Sequence, residues 1–180
     1  LVVANLVRQK GHGDYLEAAA ALRATQPRLH HVFAGSGDAT PWRETAERLG
    51  VADRVIFAGF RRDMERVYGA ADLSVMPGFA GEGVSGVLRE ALACGVPVIT
   101  TDVGGNAELI ADGATGLVVP VRAPSALAEA IGRLAADAEL RRRLADAGRE
   151  QVLARYSAQA RAENIFALYA EVFAAKGLSF

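Results

Sequence analysis

The chain has 180 residues, of which 51% are hydrophobic and 23% charged, so intrinsic disorder is excluded and one globular domain is expected. Its formal net charge of −1 lacks the basic surplus that neutralises phosphates, and we expect no nucleic-acid partner. The single cysteine, Cys94, cannot form an internal disulfide, and no apolar run approaches the roughly 20 residues of a membrane helix. These features predict a protein of the cytoplasm or of the cytoplasmic face of a membrane.

Short apolar segments alternate along the chain with longer segments of helical period. The short segments are apolar on both faces, which is typical of parallel strands covered by helices on both sides. The predicted strands are 1–7, 29–34, 54–58, 73–76, 96–100 and 116–119. The predicted helices between them are 14–25, 42–49, 63–70, 85–94 and 106–111.

After residue 124 the sequence predicts helices alone, over 124–135, 139–154 and 157–175. No linker divides the chain, so we expect a single α/β domain over residues 1–180. Its fold should be a Rossmann-like, doubly wound parallel sheet of about six strands with C-terminal helices. Ligands of such sheets bind beyond the carboxyl ends of the strands. Because Leu1 opens within a predicted strand and without Met, we expect a fragment of a longer protein.

The loops that follow the first two predicted strands carry residues suited to phosphate. Arg8, Lys10 and Gly11 precede a helix, whose first amides and dipole favour an anion. The loop is not a Walker A motif, and a solvated cationic turn is the alternative. Gly35 follows the second strand and would allow close approach of the main chain to a ligand, although glycines are common at such strand ends.

The segment after the fourth predicted strand carries two carboxylates around a helix start. Glu82 lies in a loop, a helix is predicted to begin near Ser85, and Glu90 follows Glu82 after seven intervening residues. Carboxylates accept hydrogen bonds from vicinal hydroxyls and a helix N-terminus receives phosphate, so the segment suits a nucleotide-sugar. Spacing alone leaves open that Glu82 is a surface loop residue and Glu90 an exposed helical charge.

Taken in order, these pieces resemble the C-terminal, nucleotide-sugar-binding domain of retaining glycosyltransferases of the GT-B architecture, family GT4 (glycosyl transferases group 1). The resemblance covers nearly the whole chain, and the order of its segments makes it specific. The matching segments are 4–12, 33–37, 54–59, 70–77, 82–99, 102–110 and 113–120.

The resemblance implies a UDP-sugar or GDP-sugar donor and a set of binding residues. It implies that Lys10 contacts the diphosphate, that Glu82 holds hydroxyls of the transferred sugar, and that Glu90 holds the ribose hydroxyls. The main-chain amides near the helix start and residues of two strand-end loops would complete the pocket. These further positions are Ser85, Gly86 and Val87, then Gly35, Phe60 and Arg61.

Two positions depart from the family pattern. Many members have Arg where this chain has Asn5, so we hypothesise that Arg8 supplies the missing charge. Ser85 replaces a frequent glycine, but serine suits a helix N-cap and can donate to phosphate. We expect no metal and no other cofactor, because no Asp-rich motif is present and the cations and helix dipole would replace a divalent ion.

The resemblance also implies an N-terminal acceptor-binding domain that these 180 residues do not contain. Residues 157–175 resemble the segment that returns toward that domain. We therefore expect half of a bacterial hexosyltransferase of cell-envelope polysaccharide synthesis, inactive by itself. Its acceptor would be a glycan or a lipid-linked saccharide.

Three other functions compete with this interpretation. A non-catalytic nucleotide-binding module would not need Lys10, Glu82 and Glu90 together. A nucleotide-sugar 2-epimerase shares the architecture, and a response-regulator receiver shares the fold class but would need acidic residues near residue 8. We expect no metal at the paired histidines 30–31 and a core position for Cys94. The arginine run 141–143 predicts a solvated face or, alternatively, contact with anionic lipid.

Overall fold

The computed structural model describes residues 1–80, 83 and 85–177. Within this part of the chain there are six short strands, all of them paired in parallel. They are β1 (Val2–Val3), β2 (His31–Ala34), β3 (Val55–Gly59), β4 (Ser74–Met76), β5 (Val98–Thr101) and β6 (Leu117–Val119).

Eight α-helices lie in the described residues, and each was predicted from the sequence. They are α1 (His12–Leu22), α2 (Thr40–Arg48), α3 (Met64–Gly69), α4 (Gly86–Ala93), α5 (Asn106–Leu109), α6 (Pro124–Ala136), α7 (Ala138–Tyr156) and α8 (Ala158–Ala175). Among these described helices, none is both long enough and apolar enough to cross a membrane.

The strands form two three-stranded sheets, in the orders β1-β2-β3 and β4-β5-β6. Main-chain hydrogen bonds join the two: the Leu1 nitrogen donates to the Leu73 carbonyl, and the Val75 N–H donates to the Leu1 carbonyl. The resulting order is β3-β2-β1-β4-β5-β6, which confirms the predicted Rossmann-like sheet. The strand order reverses between β1 and β4, where such sheets open a crevice for ligands.

Successive strand residues point to opposite faces, and each face carries its own core. On one face Phe33, Val75 and Ile99 are buried among residues of α1, α6 and α7. On the other face, Met76 and Val98 are buried among residues of α4 and α5. Apolar burial on both faces explains why the strands are mostly apolar rather than alternating regularly with polar residues.

The structure corrects two local expectations. β1 ends at Val3 rather than near residue 7: Val3 pairs with Ala34, the last residue of β2, and further along the chain turns, with the Val7 N–H donating to the Asn5 carbonyl. The expected core position of Cys94 is wrong, since this residue follows the last turn of α4 and its side chain is exposed.

The boundaries of the last two helices are set by side-chain caps, as predicted. Asp137 Oδ1 accepts from the Leu140 N–H (2.8 Å) at the start of α7, and Ser157 Oγ accepts from the Ala160 N–H (3.2 Å) at the start of α8. Arg141 donates to carbonyls at the end of α6, which gives the first arginine of the run 141–143 a structural role.

Candidate functional site

A cavity of about 350 Å³ opens at the carboxyl ends of β1 and β4, where the strand order reverses. The end of β2 and the loop after β3 close one side, and the start of α4 closes the other. The lining residues are Val3, Ala4, Asn5, Lys10, Ala34, Gly35, Phe60, Arg61, Met64, Met76, Ser85 and Val87. The location matches the crevice in which doubly wound sheets bind nucleotides.

The loop between β1 and α1 brings Lys10 to this cavity because Gly11 permits a very close approach to β4. Gly11 has φ +72°, and a Cβ atom there would lie 1.8 Å from the Pro77 carbonyl oxygen. No other residue type could occupy the position without displacing one of the two loops. The sequence predicted a cationic, glycine-containing loop before a helix here but gave no indication that this loop packs against Pro77.

His12 fixes the same loop from inside the fold. The ring is fully buried, and its Nε2 lies 2.9 Å from the Asn5 carbonyl oxygen. Because a carbonyl can only accept, Nε2 must carry the proton. Burial lowers the pKa of His12 below its usual value, so the neutral ring is favoured. The ring packs edge-on against Phe33 and Trp42, which ties the loop conformation to the core.

Gly35, at the end of β2, is required by strand packing as well as by any ligand. A Cβ atom there would lie 1.9 Å from the Ala4 carbonyl oxygen, so a side chain would separate β1 from β2. The glycine also lines the cavity. The close packing of β1 and β2 therefore requires glycine at this position, and the absence of a side chain leaves its main chain accessible to a bound molecule.

The loop after β3 contributes an aromatic ring and a cation to the cavity. The Phe60 side chain is 66% exposed, which is unusual for a phenylalanine and leaves its ring available for stacking. Arg61 donates two hydrogen bonds to Asp63, at 2.9 and 2.7 Å. These bonds from Arg61 lower the pKa of the Asp63 carboxyl below its usual range and restrain the guanidinium beside the cavity.

Helix α4 begins at the cavity wall. Ser85 occupies the N-cap position predicted for it, with extended backbone angles, but its side chain makes no capping hydrogen bond. Ser85 and Val87 line the cavity, and Gly86 lies between them as the first helical residue. The first N–H groups of a helix have no intrahelical acceptor, so this end of α4 can donate to an anion.

Glu90 lies just over one turn further along α4, exposed and hydrogen-bonded by a residue that sequence reasoning missed. The Tyr68 hydroxyl on α3 is 3.2 Å from Glu90 Oε2 and 3.3 Å from the Val87 carbonyl oxygen. Burial, followed by the charge of Glu90, raises the pKa of Tyr68 above its usual value, so the hydroxyl keeps its proton and donates. Tyr68 has no sequence signal, because contact across two helices is decided by the fold.

The structure thus brings most of the predicted site residues to one place. Gly86 and Glu90 lie on α4 next to this wall but are not among the lining residues. Arg8 is exposed at the start of a short 3-10 turn and is not among the lining residues. Glu82 lies outside the described residues. Those that line the cavity are Lys10, Gly35, Phe60, Arg61, Ser85 and Val87.

Metal binding has no candidate among the residues that the structure describes. In that part of the chain, no three His, Cys, Asp or Glu side chains lie close enough together to hold an ion. His31 is instead paired with Tyr15, whose hydroxyl lies 3.0 Å from His31 Nδ1. The expectation of a metal-independent site remains a prediction.

Comparison with known proteins agrees with the geometry. Residues 1–151 match the family described as glycosyl transferases group 1. The chain is 33% identical over 178 residues to the α-D-kanosaminyltransferase of Streptomyces kanamyceticus, covering 96% of this chain and 45% of that protein. It is 36% identical over 177 residues to the D-inositol 3-phosphate glycosyltransferase of Corynebacterium urealyticum, covering 93% and 41%.

Solved structures show the same fold. Sucrose-phosphate synthase from Thermosynechococcus elongatus superposes with a TM-score of 0.82 at 33% identity, over 97% of this chain and 45% of that one. The Anabaena protein HepE, in complex with UDP-glucose, superposes with a TM-score of 0.83 at 26% identity, over 92% and 48%.

The chain therefore spans less than half the length of these relatives. Its six parallel strands and flanking helices form one half of the GT-B architecture that they share. The match to the family extends over most of the chain, from β1 into α7. This chain belongs to the glycosyl transferases group 1 family.

Proposed function

We propose that this chain is the donor-binding half of a retaining GT4 hexosyltransferase and holds a nucleoside-diphosphate sugar in the cavity between β1 and β4. The observation that carries the proposal is the convergence of Lys10, Arg61 and the start of α4 on one cavity at the strand-order reversal. The HepE complex with UDP-glucose supports a UDP-sugar as donor, and a GDP-sugar is the alternative donor in this proposal.

The chemistry required of this half is stabilisation of a departing diphosphate. In retaining transfer the bond from the anomeric carbon to the donor phosphate breaks with oxocarbenium character, and negative charge develops on the diphosphate. Lys10 supplies a positive charge at the cavity wall, and the first amides of α4 supply hydrogen-bond donors. We assign Arg8, two residues before Lys10 in the same loop, a supporting role toward the diphosphate. These groups act without a metal ion.

The two glutamates of the family pattern would hold the hydroxyls of the donor. Glu90, positioned by the Tyr68 hydroxyl, would accept from the ribose hydroxyls, and the Phe60 ring would lie against the base. Glu82, outside the described residues, would hold the transferred sugar. The acceptor would attack from the face of the departing diphosphate, with a donor phosphate oxygen assisting removal of its proton.

The acceptor would be a glycan or lipid-linked saccharide of the bacterial cell envelope, bound by an N-terminal domain of the longer protein. Helix α8 supports such a partner, because none of its eighteen residues, all of them described, is buried. Its large exposed apolar side chains are those of Ile165, Phe166, Leu168, Tyr169 and Val172.

We also propose that the enzyme is located in the cytoplasm and contacts the cytoplasmic face of the membrane. We expect this half to be inactive alone.

The direct test is calorimetric titration of the chain with UDP, GDP and ADP, followed by their sugar conjugates. We expect one base to bind selectively. Lys10→Ala should raise the dissociation constant of that nucleotide about 10- to 100-fold, the usual range for losing a charge-assisted hydrogen bond. Arg142→Ala is a matched control, because Arg142 pairs with Asp146 on the exposed surface of α7, away from the cavity lining. Equal binding by both variants would contradict the assigned role of Lys10.

The assignment of Glu90 is tested by comparing the preferred nucleotide with its 2′-deoxy form. The unaltered chain should prefer the ribonucleotide, and Glu90→Gln should reduce that preference because the amide accepts more weakly than a carboxylate. Tyr68→Phe should reduce it about threefold, as expected when one neutral hydrogen bond that orients the carboxylate is lost. Glu129→Gln, an exposed glutamate on α6, is the control. A ribose preference unaffected by Glu90→Gln would refute this assignment.

A further inference from the structure

Arg122 has an unusual backbone conformation. It lies in the connection between β6 and α6, with φ +51°, and is the one non-glycine residue with positive φ among residues 1–80, 83 and 85–177. Residues other than glycine, Asn and Asp seldom adopt this backbone region unless the surrounding structure enforces it. A residue kept in such a conformation points to a requirement for its side chain, because glycine would fit the turn without strain.

The Arg122 side chain reaches another strand-end loop. Its guanidinium carbon lies 3.7 Å from the centroid of the Phe79 ring, within the range of a cation–π contact. Phe79 belongs to the loop that leaves β4, and Arg122 to the loop that leaves β6. The neighbouring Val121 N–H donates to Asp102 Oδ1 (3.1 Å), so the Arg122 loop is itself attached to the end of β5.

The segment that Arg122 contacts is also attached to the Lys10 loop. The Phe79 N–H donates to the Gln9 carbonyl oxygen at 3.0 Å, one residue before Lys10. On the other side of Lys10, Gly11 packs directly against the Pro77 carbonyl. The Thr101 hydroxyl donates to the Gly78 carbonyl and fixes the middle of the segment. Residues 77–79 are therefore a brace between the end of β6 and the proposed phosphate-binding lysine.

We propose that Arg122 is a positioning residue for the donor site: its guanidinium holds Phe79, and the brace 77–79 transmits that restraint to Gln9 and Lys10. This inference rests on the proposed function, because Lys10 matters only if a diphosphate binds beside it. The strained backbone at Arg122 then has a physical reason. It directs a long cationic side chain from the β6 loop across β5 onto the aromatic ring.

The test separates the guanidinium from the backbone strain. Arg122→Gly removes both, whereas Arg122→Ala removes the guanidinium and keeps the strained turn. Both variants should bind the preferred nucleoside diphosphate about fivefold more weakly, in line with the loss of one partly exposed cation–π contact. Arg122→Gly should keep its thermal midpoint within about 2 °C of the unaltered chain and should melt above Arg122→Ala. Arg122→Lys should recover binding to within about twofold, since an ammonium also interacts with an aromatic face.

The coupling to Phe79 is tested by a double-variant cycle. If Arg122 acts through the ring, Phe79→Leu combined with Arg122→Ala should bind no more weakly than the weaker single variant. In both single variants, the amide hydrogen of residue 79 should exchange faster, because its hydrogen bond to the Gln9 carbonyl is no longer restrained by the contact between residue 122 and the ring. Unchanged binding in Arg122→Gly and Arg122→Ala, while Lys10→Ala still weakens binding, would overturn this inference alone. Absence of nucleotide binding by the unaltered chain would overturn the proposed function and this inference with it.

Discussion

Helices α1 and α8 have similar apolar character but opposite surroundings. Six of the eleven residues of α1 are buried, and Leu16 has no exposed surface. None of the eighteen residues of α8 is buried, and Leu168 is 56% exposed. Both helices were predicted from the sequence, α1 from its apolar stripe and α8 from its helix-favouring composition. Such local signals predict that a helix forms, whereas burial of its apolar side chains depends on a partner surface.

The surface that covers α1 lies within this chain and belongs to a single hydrophobic core. Tyr15 and Leu16 pack into the same core as Phe33 of β2 and Ile131 of α6. Helix α8 follows α7 along the chain without entering either core. Under the proposed function, the surface that covers α8 belongs to the rest of the longer enzyme. Substitutions in the two helices should consequently differ in their effect on the stability of this chain.

The largest expected difference comes from the same substitution made in each helix. Leu16→Ala should lower the free energy of unfolding by about 3 kcal/mol, because it removes buried methyl groups and leaves a cavity in a packed core. Leu168→Ala should change it by less than about 0.5 kcal/mol, as is usual for an exposed position. Urea unfolding monitored by circular dichroism measures both. Equal losses would show that α8 is packed more tightly than the structure indicates.

A second effect on the free energy of unfolding, of similar size at low pH, concerns His31, to which Tyr15 of α1 is hydrogen-bonded. Burial, followed by nearby positive charges, lowers the pKa of His31 from 6.5 to about 4. In the unfolded chain, His31 takes up a proton near pH 6.5, whereas the folded chain resists doing so until about pH 4. Stability from this group is therefore complete above pH 6.5 and is lost as the pH falls toward 4, by about 3 kcal/mol in total.

The variant that tests this is His31→Asn, which can still accept from the Tyr15 hydroxyl but does not titrate. Its unfolding free energy should fall less steeply than that of the unaltered chain between pH 6.5 and 4. The carboxylates contribute equally to both proteins, so the difference between the two slopes isolates His31. Parallel pH profiles would contradict the assigned cause.

The smallest expected difference lies in the caps of the last two helices. Asp137→Ala removes the cap of α7, a helix with five buried residues, and should cost about 1 kcal/mol of global stability. Ser157→Ala removes the cap of α8 and should leave global unfolding nearly unchanged, because α8 can fray without exposing a buried side chain. Amide hydrogen exchange should instead become faster in the first turn of α8. A global loss equal to that of Asp137→Ala would contradict the comparison.

The sequence predicted each described strand and α-helix because apolar runs, helical periods and helix-favouring composition are local signals. It also placed Lys10 and Ser85 at strand and helix ends that meet in the cavity. It could not predict that β1 stops at Val3, since the end of the pairing is set by where the neighbouring strand β2 ends, at Ala34, and not by the apolar run 1–7 itself. The exposed position of Cys94 could not be predicted either. Cys94 directly follows α4, and the direction of a side chain at the end of a helix depends on how the chain continues from there.

The family, the parallel α/β fold and the candidate donor residues were determined by the sequence itself, because periodicity and ordered motifs are local properties of a chain. The tertiary structure alone decided which residues hold the site in place. Gly11 against Pro77, Tyr68 beside Glu90 and Arg122 over Phe79 are contacts between segments distant in sequence. Such contacts leave no periodic trace, since they depend on where separate strands end in the sheet and on the direction in which each loop leaves it.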